Sequence, residues 1–182
     1  MNQTFIRHLH RYVARYSVSA SAARGQRSPG LVRAARSYLS EVPLRSFAVG
    51  SESRFGQNLN RHTERLRIVL PQGGRSWGMS RKLLNIFLRN ALYTGYLCER
   101  YHLDGAEDWY EIPLDSIVAK RLRSEAKRLG LPRLPRWPGV KHLTPETSDL
   151  YQGVARRVAE HLGVAPVHLD ALWWGGSRAP AA

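Results

Sequence analysis

Residues 73–85 read Gly73-Gly74-Arg75-Ser76-Trp77-Gly78-Met79-Ser80-Arg81-Lys82-Leu83-Leu84-Asn85, and the reading of the whole chain turns on this stretch. Its glycines allow a tight turn with exposed backbone. Before it, Leu66, Val69 and Leu70 mark a short helix that Pro71 and the glycine pair must end. After it, Leu83, Ile86, Phe87, Asn90, Tyr93 and Leu97 recur at steps of three and four, which predicts a helix from about Met79 to Cys98. The stretch therefore reads as helix, hairpin, helix. The second helix offers free amides and a positive dipole end to a phosphate. Arg75, Trp77, Gly78 and Arg81 are the residues placed to meet that phosphate or to wedge into a duplex. Lys82 is read in the opening turn, where the dipole disfavours a cation and eases loss of its proton, as an amine nucleophile requires. Taken alone, Lys82 reads first as a solvated surface lysine beside Arg81, and only the neighbouring motifs favour the nucleophile.

The same spacing logic predicts helices over residues 4–17, through Phe5, Ile6, Leu9, Tyr12, Val13 and Tyr16, and over 31–39. Ser17 to Gly30 reads as a loop, and Ser40 to Asn60 as an irregular connection. Asp115 stands ahead of Ile117, Val118 and Leu122 in the position of an N-cap. Pro132, Pro135 and Pro138 stiffen a connector. Thr144-Pro145 opens another helix that Gly163 closes, and Pro166 begins a last one. No segment carries a strand pattern with hairpin turns, so the fold class is all-α. A basic N-terminal extension (1–30) is expected ahead of a helical domain (31–182).

Two further motifs bear chemistry. In Ile112-Pro113-Leu114-Asp115-Ser116 an acid sits among apolar residues, where a carboxylate is costly unless used, although a plain helix cap explains it too. In Val167-His168-Leu169-Asp170-Ala171-Leu172-Trp173-Trp174, Asp170 and Trp174 are four apart and share a helical face. An acceptor beside an aromatic plane suits a flat, hydrogen-bonding base, while tryptophans that merely fill the core would look the same.

The 182 residues carry 28 Lys+Arg against 14 Asp+Glu, a net charge of +14, which favours a polyanionic partner such as nucleic acid. No Asp or Glu precedes Glu41. A second basic stretch runs from Lys120 to Lys141. The single cysteine, Cys98, excludes a disulfide framework and a cysteine zinc cluster. No run of 18 apolar residues provides a membrane span. The acid-free, Arg- and Ser-rich start also fits an organelle transit peptide, but it has no secretory apolar stretch. A cytoplasmic, nucleoid-associated protein is expected.

In their order along the chain, the three motifs resemble the helix-hairpin-helix DNA glycosylases, and more narrowly the archaeal-type 8-oxoguanine DNA glycosylase/AP lyase branch. Gly78 and Lys82 match the family's Gly-x-Gly-x-Lys hairpin, with Ser80 at its second glycine. Ile112-Pro113-Leu114-Asp115-Ser116 resembles the aspartate segment, and Asp115 follows Lys82 by 33 positions. Val167-His168-Leu169-Asp170 with Trp174 is similar to the branch's C-terminal helix. The resemblance covers about residues 70–175. It implies base-excision repair of an oxidised purine in duplex DNA by a monomer, with Lys82 as nucleophile, Asp115 assisting, and Asp170 and Trp174 receiving the base. No metal or nucleotide cofactor is implied. The alternative is a helix-hairpin-helix nucleic-acid-binding protein without turnover.

Overall fold

The computed structural model describes residues 2–19, 22 and 28–175, with side chains through Trp173. The described residues form eight α-helices joined by short 3₁₀ turns and contain no strand. The helices are α1 (Gln3–Ser17), α2 (Leu31–Leu39), α3 (Glu52–Val69), α4 (Trp77–Tyr93), α5 (Gly95–Tyr101), α6 (Ser116–Arg128), α7 (Pro145–Leu162) and α8 (Leu169–Gly175). The all-α class is as the periodicity requires. Residues 20–21 and 23–27 of the expected 17–30 loop lie outside the described residues.

Capping chemistry sets several boundaries. Ser51 opens α3, Ser76 opens α4, Asp115 opens α6 and Thr144 opens α7, each accepting an otherwise unpaired amide of the first turn. Gly163 ends α7 in the left-handed conformation, at φ 66°. The expected irregular connection over Ser40 to Asn60 is corrected by α3. From Glu52 onward the chain is an 18-residue helix burying Phe55, Asn58, Leu59, His62, Thr63 and Leu66. Three of those six are polar, so an apolar count alone misses the stripe. The helix expected to run from Met79 to Cys98 is interrupted at Thr94, which lies outside helical space between α4 and α5.

The core has two parts. A larger cluster gathers α1 to α5, with Ile6, Val13, Leu31, Leu39, Phe55, Leu83 and Phe87 inside. Helix α1, from the stretch expected to be a basic extension, therefore packs in the same cluster as α4. His10 helps hold it there: its Nε2 lies 2.9 Å from the Leu39 carbonyl, and its ring stacks on Phe87. A smaller cluster joins α6, α7, Leu114, Leu134, Leu143 and Leu169. Helix α4 lies along the seam between the two. Met79, Leu83 and Phe87 enter the larger cluster, while Gly78, Arg81, Lys82 and Asn85 line a cleft against Leu143 and α7.

His62 is buried in the larger cluster, with its Nδ1 2.8 Å from the Tyr38 hydroxyl. Burial, reinforced by Arg65 and Arg61, pushes its pKa from 6.5 down to about 4. The folded value lies below the unfolded one, so the unfolded state takes up the proton first as pH falls. The neutral ring's contribution is complete above about pH 6.5 and declines progressively toward pH 4. Thermal melts should therefore show a falling midpoint across this window, and His62→Gln should flatten part of the fall. An unchanged pH profile in that variant would contradict the assignment.

Candidate active site

The two residues singled out as nucleophile and acid meet across the seam. Lys82 Nζ lies 3.6 Å from Asp115 Oδ2. Asp115 is held by its other oxygen: Oδ1 accepts from the amides of Ile117, at 2.9 Å, and Val118, at 3.0 Å. The cap thus aims the second oxygen at the amine. Lys82 is 11% exposed and Asp115 33%. The other three lysines, Lys120, Lys127 and Lys141, are all exposed. Lys82 stands in the second turn of α4, which begins at Trp77, rather than in the opening turn expected. The first-turn amide reached by a cap is that of Met79, bound by Ser76 Oγ.

Beneath this pair lies an ion network that the sequence reading did not contain. Arg81 donates through Nε and Nη2 to the two oxygens of Glu111, both at 2.8 Å, and through Nη1 to Asn60 and Thr63. Asn85 Nδ2 also donates to Glu111, at 2.8 Å. The network ties α3 and α4 to the segment that delivers Asp115. A bidentate pair fits the planar guanidinium fork, which suits arginine to this buried position.

Two of the residues expected to contact DNA are accordingly corrected. Arg81 is buried in this network, with its guanidinium 5.2 Å from the Trp77 ring centroid. Gly78 is covered by the 3₁₀ turn Val140–His142 and by Leu143: a Cβ there would sit 2.2 Å from the Val140 carbonyl oxygen. Its glycine serves close helix packing. Gly74 is similarly closed, by Leu31. Trp77 is half-buried against the smaller cluster, and Arg75 remains exposed. Ser80 is inside α4, with its hydroxyl donating to the Ser76 carbonyl at 3.0 Å.

Asp170 is also corrected from the expected open acceptor, because it forms an ion pair with Arg89. Arg89 follows Lys82 by seven residues, so it lies on the same face of α4 roughly 10 Å along the axis. The two ion pairs are thus stacked along one helix. Beside them, the Tyr93 hydroxyl lies 2.8 Å from His168 Nδ1, and His168 Nε2 lies 2.9 Å from Glu107. The Trp174 side chain, expected to stack on a base, lies outside the described residues.

The cleft beside Lys82 is lined by Gly78, Arg81, Asn85, Leu114, Leu143, Ser148 and Gln152, and it is too narrow to admit a water molecule. Ser148 Oγ and Gln152 Oε1 are buried there without hydrogen-bond partners. Gln152 is anchored by its Nε2, which donates to the Ile112 carbonyl at 2.9 Å. The sequence offered one overlooked signal: a stripe search from Lys82 at seven-residue spacing reaches Arg89. Nothing local marked Glu111, Ser148 or Gln152.

Compared with protein-family models, curated proteins and solved structures, the chain matches none.

Proposed function

We propose that the chain is a DNA N-glycosylase with AP lyase chemistry acting on an oxidised purine, with α3, residues 70–76 and α4 as its helix-hairpin-helix element. The observation that carries this reading is the half-buried amine of Lys82 set against the capped carboxylate of Asp115. An amine attacks only when neutral, and the Asp115 carboxylate, 3.6 Å away, can take its proton once the two close to hydrogen-bond distance. The target nucleotide first leaves the duplex stack, since its glycosidic bond is otherwise unreachable. Nζ then bonds to C1′ as the base departs with the electron pair of the glycosidic bond and takes up the proton held on Asp115. A proton passes from the nitrogen to O4′ as the sugar ring opens to a Schiff base. The Asp115 carboxylate then accepts the C2′ proton, and the electron pair left behind expels the 3′ phosphate and breaks the strand. Asp115 also stabilises positive charge building on the sugar. In this reading the base lies toward Asp170 and Trp174, and its N–H edge exchanges for Arg89 at the Asp170 carboxylate.

The narrow cleft and the grip of Arg89 on Asp170 favour a second reading, a helix-hairpin-helix nucleic-acid-binding protein without turnover. Borohydride trapping separates the two. The purified protein should become covalently fixed to a duplex carrying 8-oxoguanine. Duplex binding without trapping or nicking supports the second reading and overturns the first. Indifference to DNA at about 100 mM salt overturns both.

Asp115→Asn isolates the chemical role of the acid from its structural one. Asparagine caps a helix about as well as aspartate, so α6 should still start at Ser116 and circular dichroism should keep the wild-type helix content. The rate of trapping should nevertheless fall by about 10²- to 10⁴-fold, the usual contribution of a positioned general base. A variant with unimpaired trapping would remove Asp115 from the mechanism.

A further inference from the structure

The expected apolar stripe of α1 divides in the structure. Ile6 and Val13 are buried, whereas Tyr12 is 65% exposed and Tyr16 49%. The two tyrosines are four residues apart on one face, with ring centroids 5.6 Å apart and planes tilted by 47°. Alongside them run Arg11 and Arg15, and across a groove α2 contributes Arg33 and Arg36. Two adjoining grooves share Arg11, Arg15 and Arg36, with volumes of about 780 and 880 Å³. That is the scale of a pocket for a molecule and far more than one ion needs. Glu41, 3.5 Å from Arg11, brings an opposing charge to that arginine.

We propose that the groove between α1 and α2 binds a single strand of nucleic acid, with Tyr12 and Tyr16 stacking on unpaired bases and the arginines on both walls holding phosphates. The pattern of the walls selects this partner. Arginines on two helices can follow a charged backbone on both sides, while tyrosine faces suit a ligand that presents flat, unstacked bases. A duplex hides those faces within its own stack. A lipid surface would meet the outer aromatic row of α1, but it could not enter a groove to reach the α2 wall. The proposal concerns a surface separate from Lys82 and does not depend on whether that lysine reacts.

The test uses the full chain with a fluorescein-labelled 15-mer oligothymidylate, inorganic polyphosphate, and vesicles containing anionic lipid. Tyr12→Ala/Tyr16→Ala, at two exposed positions, should weaken oligothymidylate binding by about tenfold or more while leaving polyphosphate binding unchanged. Arg11→Gln/Arg15→Gln should weaken binding of both and lower the log–log salt slope for the strand by about 1.4, at roughly 0.7 per lost phosphate contact. Circular dichroism checks that both variants keep the wild-type helix content. Equal binding of oligothymidylate by the tyrosine variant would overturn the proposal. So would failure of the wild type to bind it at about 50 mM salt, or tyrosine-dependent binding confined to vesicles.

Discussion

Lys82→Gln is expected to eliminate covalent capture of damaged DNA and strand nicking, with trapping at least about 10³-fold below the wild type. Glutamine roughly preserves the length of the side chain but offers no nucleophilic amine. Lys82→Arg provides the complementary arm, since it keeps a cation against Asp115 yet cannot form the Schiff base, and it should be equally inert. Duplex affinity should stay within about threefold in both variants, because a single half-buried contact adds little to a salt-dependent phosphate footprint. Location explains why no other lysine should take over: Lys120, Lys127 and Lys141 are exposed, and no carboxylate is paired with them among the described salt bridges. An adduct of undiminished yield in Lys82→Gln, mapped by peptide sequencing to another amine, would end the proposed mechanism.

Glu111→Ala carries the largest expected effect on stability. It removes the partner of a guanidinium that is itself only 7% exposed and leaves that charge buried. Breaking such a pair typically costs about 3–5 kcal/mol. For a chain of this size each kcal/mol lowers the thermal midpoint by about 2–4 °C, so a fall of about 6–20 °C is expected. The double variant Arg81→Met/Glu111→Leu should recover much of the loss, because removing both charges also removes their desolvation cost. If the single and double variants melt together, the penalty does not come from an orphaned charge. Near the melting point, loss of the network should also release the segment that presents Asp115 and reduce trapping.

These expectations draw unequally on sequence and structure. The caps at Asp115 and Thr144, the glycine stop at Gly163 and the apolar stripes of α4 and α7 were legible, because each acts between residues no more than four positions apart. Helix α3 was partly hidden because half of its buried face is polar. Asn58, His62 and Thr63 are satisfied by Ser46, Tyr38 and Leu59, and of these only Leu59 is local to the helix. The approach of Lys82 to Asp115 was anticipated from motif order alone, and no distance could have been read from it.

What the sequence by itself determined is the helical class, most of the helix starts and stops, and the excess of positive charge. Propensity, capping and net charge are properties of a local or summed kind, insensitive to how helices dock. Tertiary structure alone decided which charges are neutralised and which glycines are covered. Arg89 finds Asp170 and Arg81 finds Glu111 across separations of 81 and 30 residues, and Gly78 is closed by a turn that arrives from Val140. Burial raises the cost of an unpaired charge, so the packing of α4 between two apolar clusters dictates these partners, and with them which cations remain on the surface.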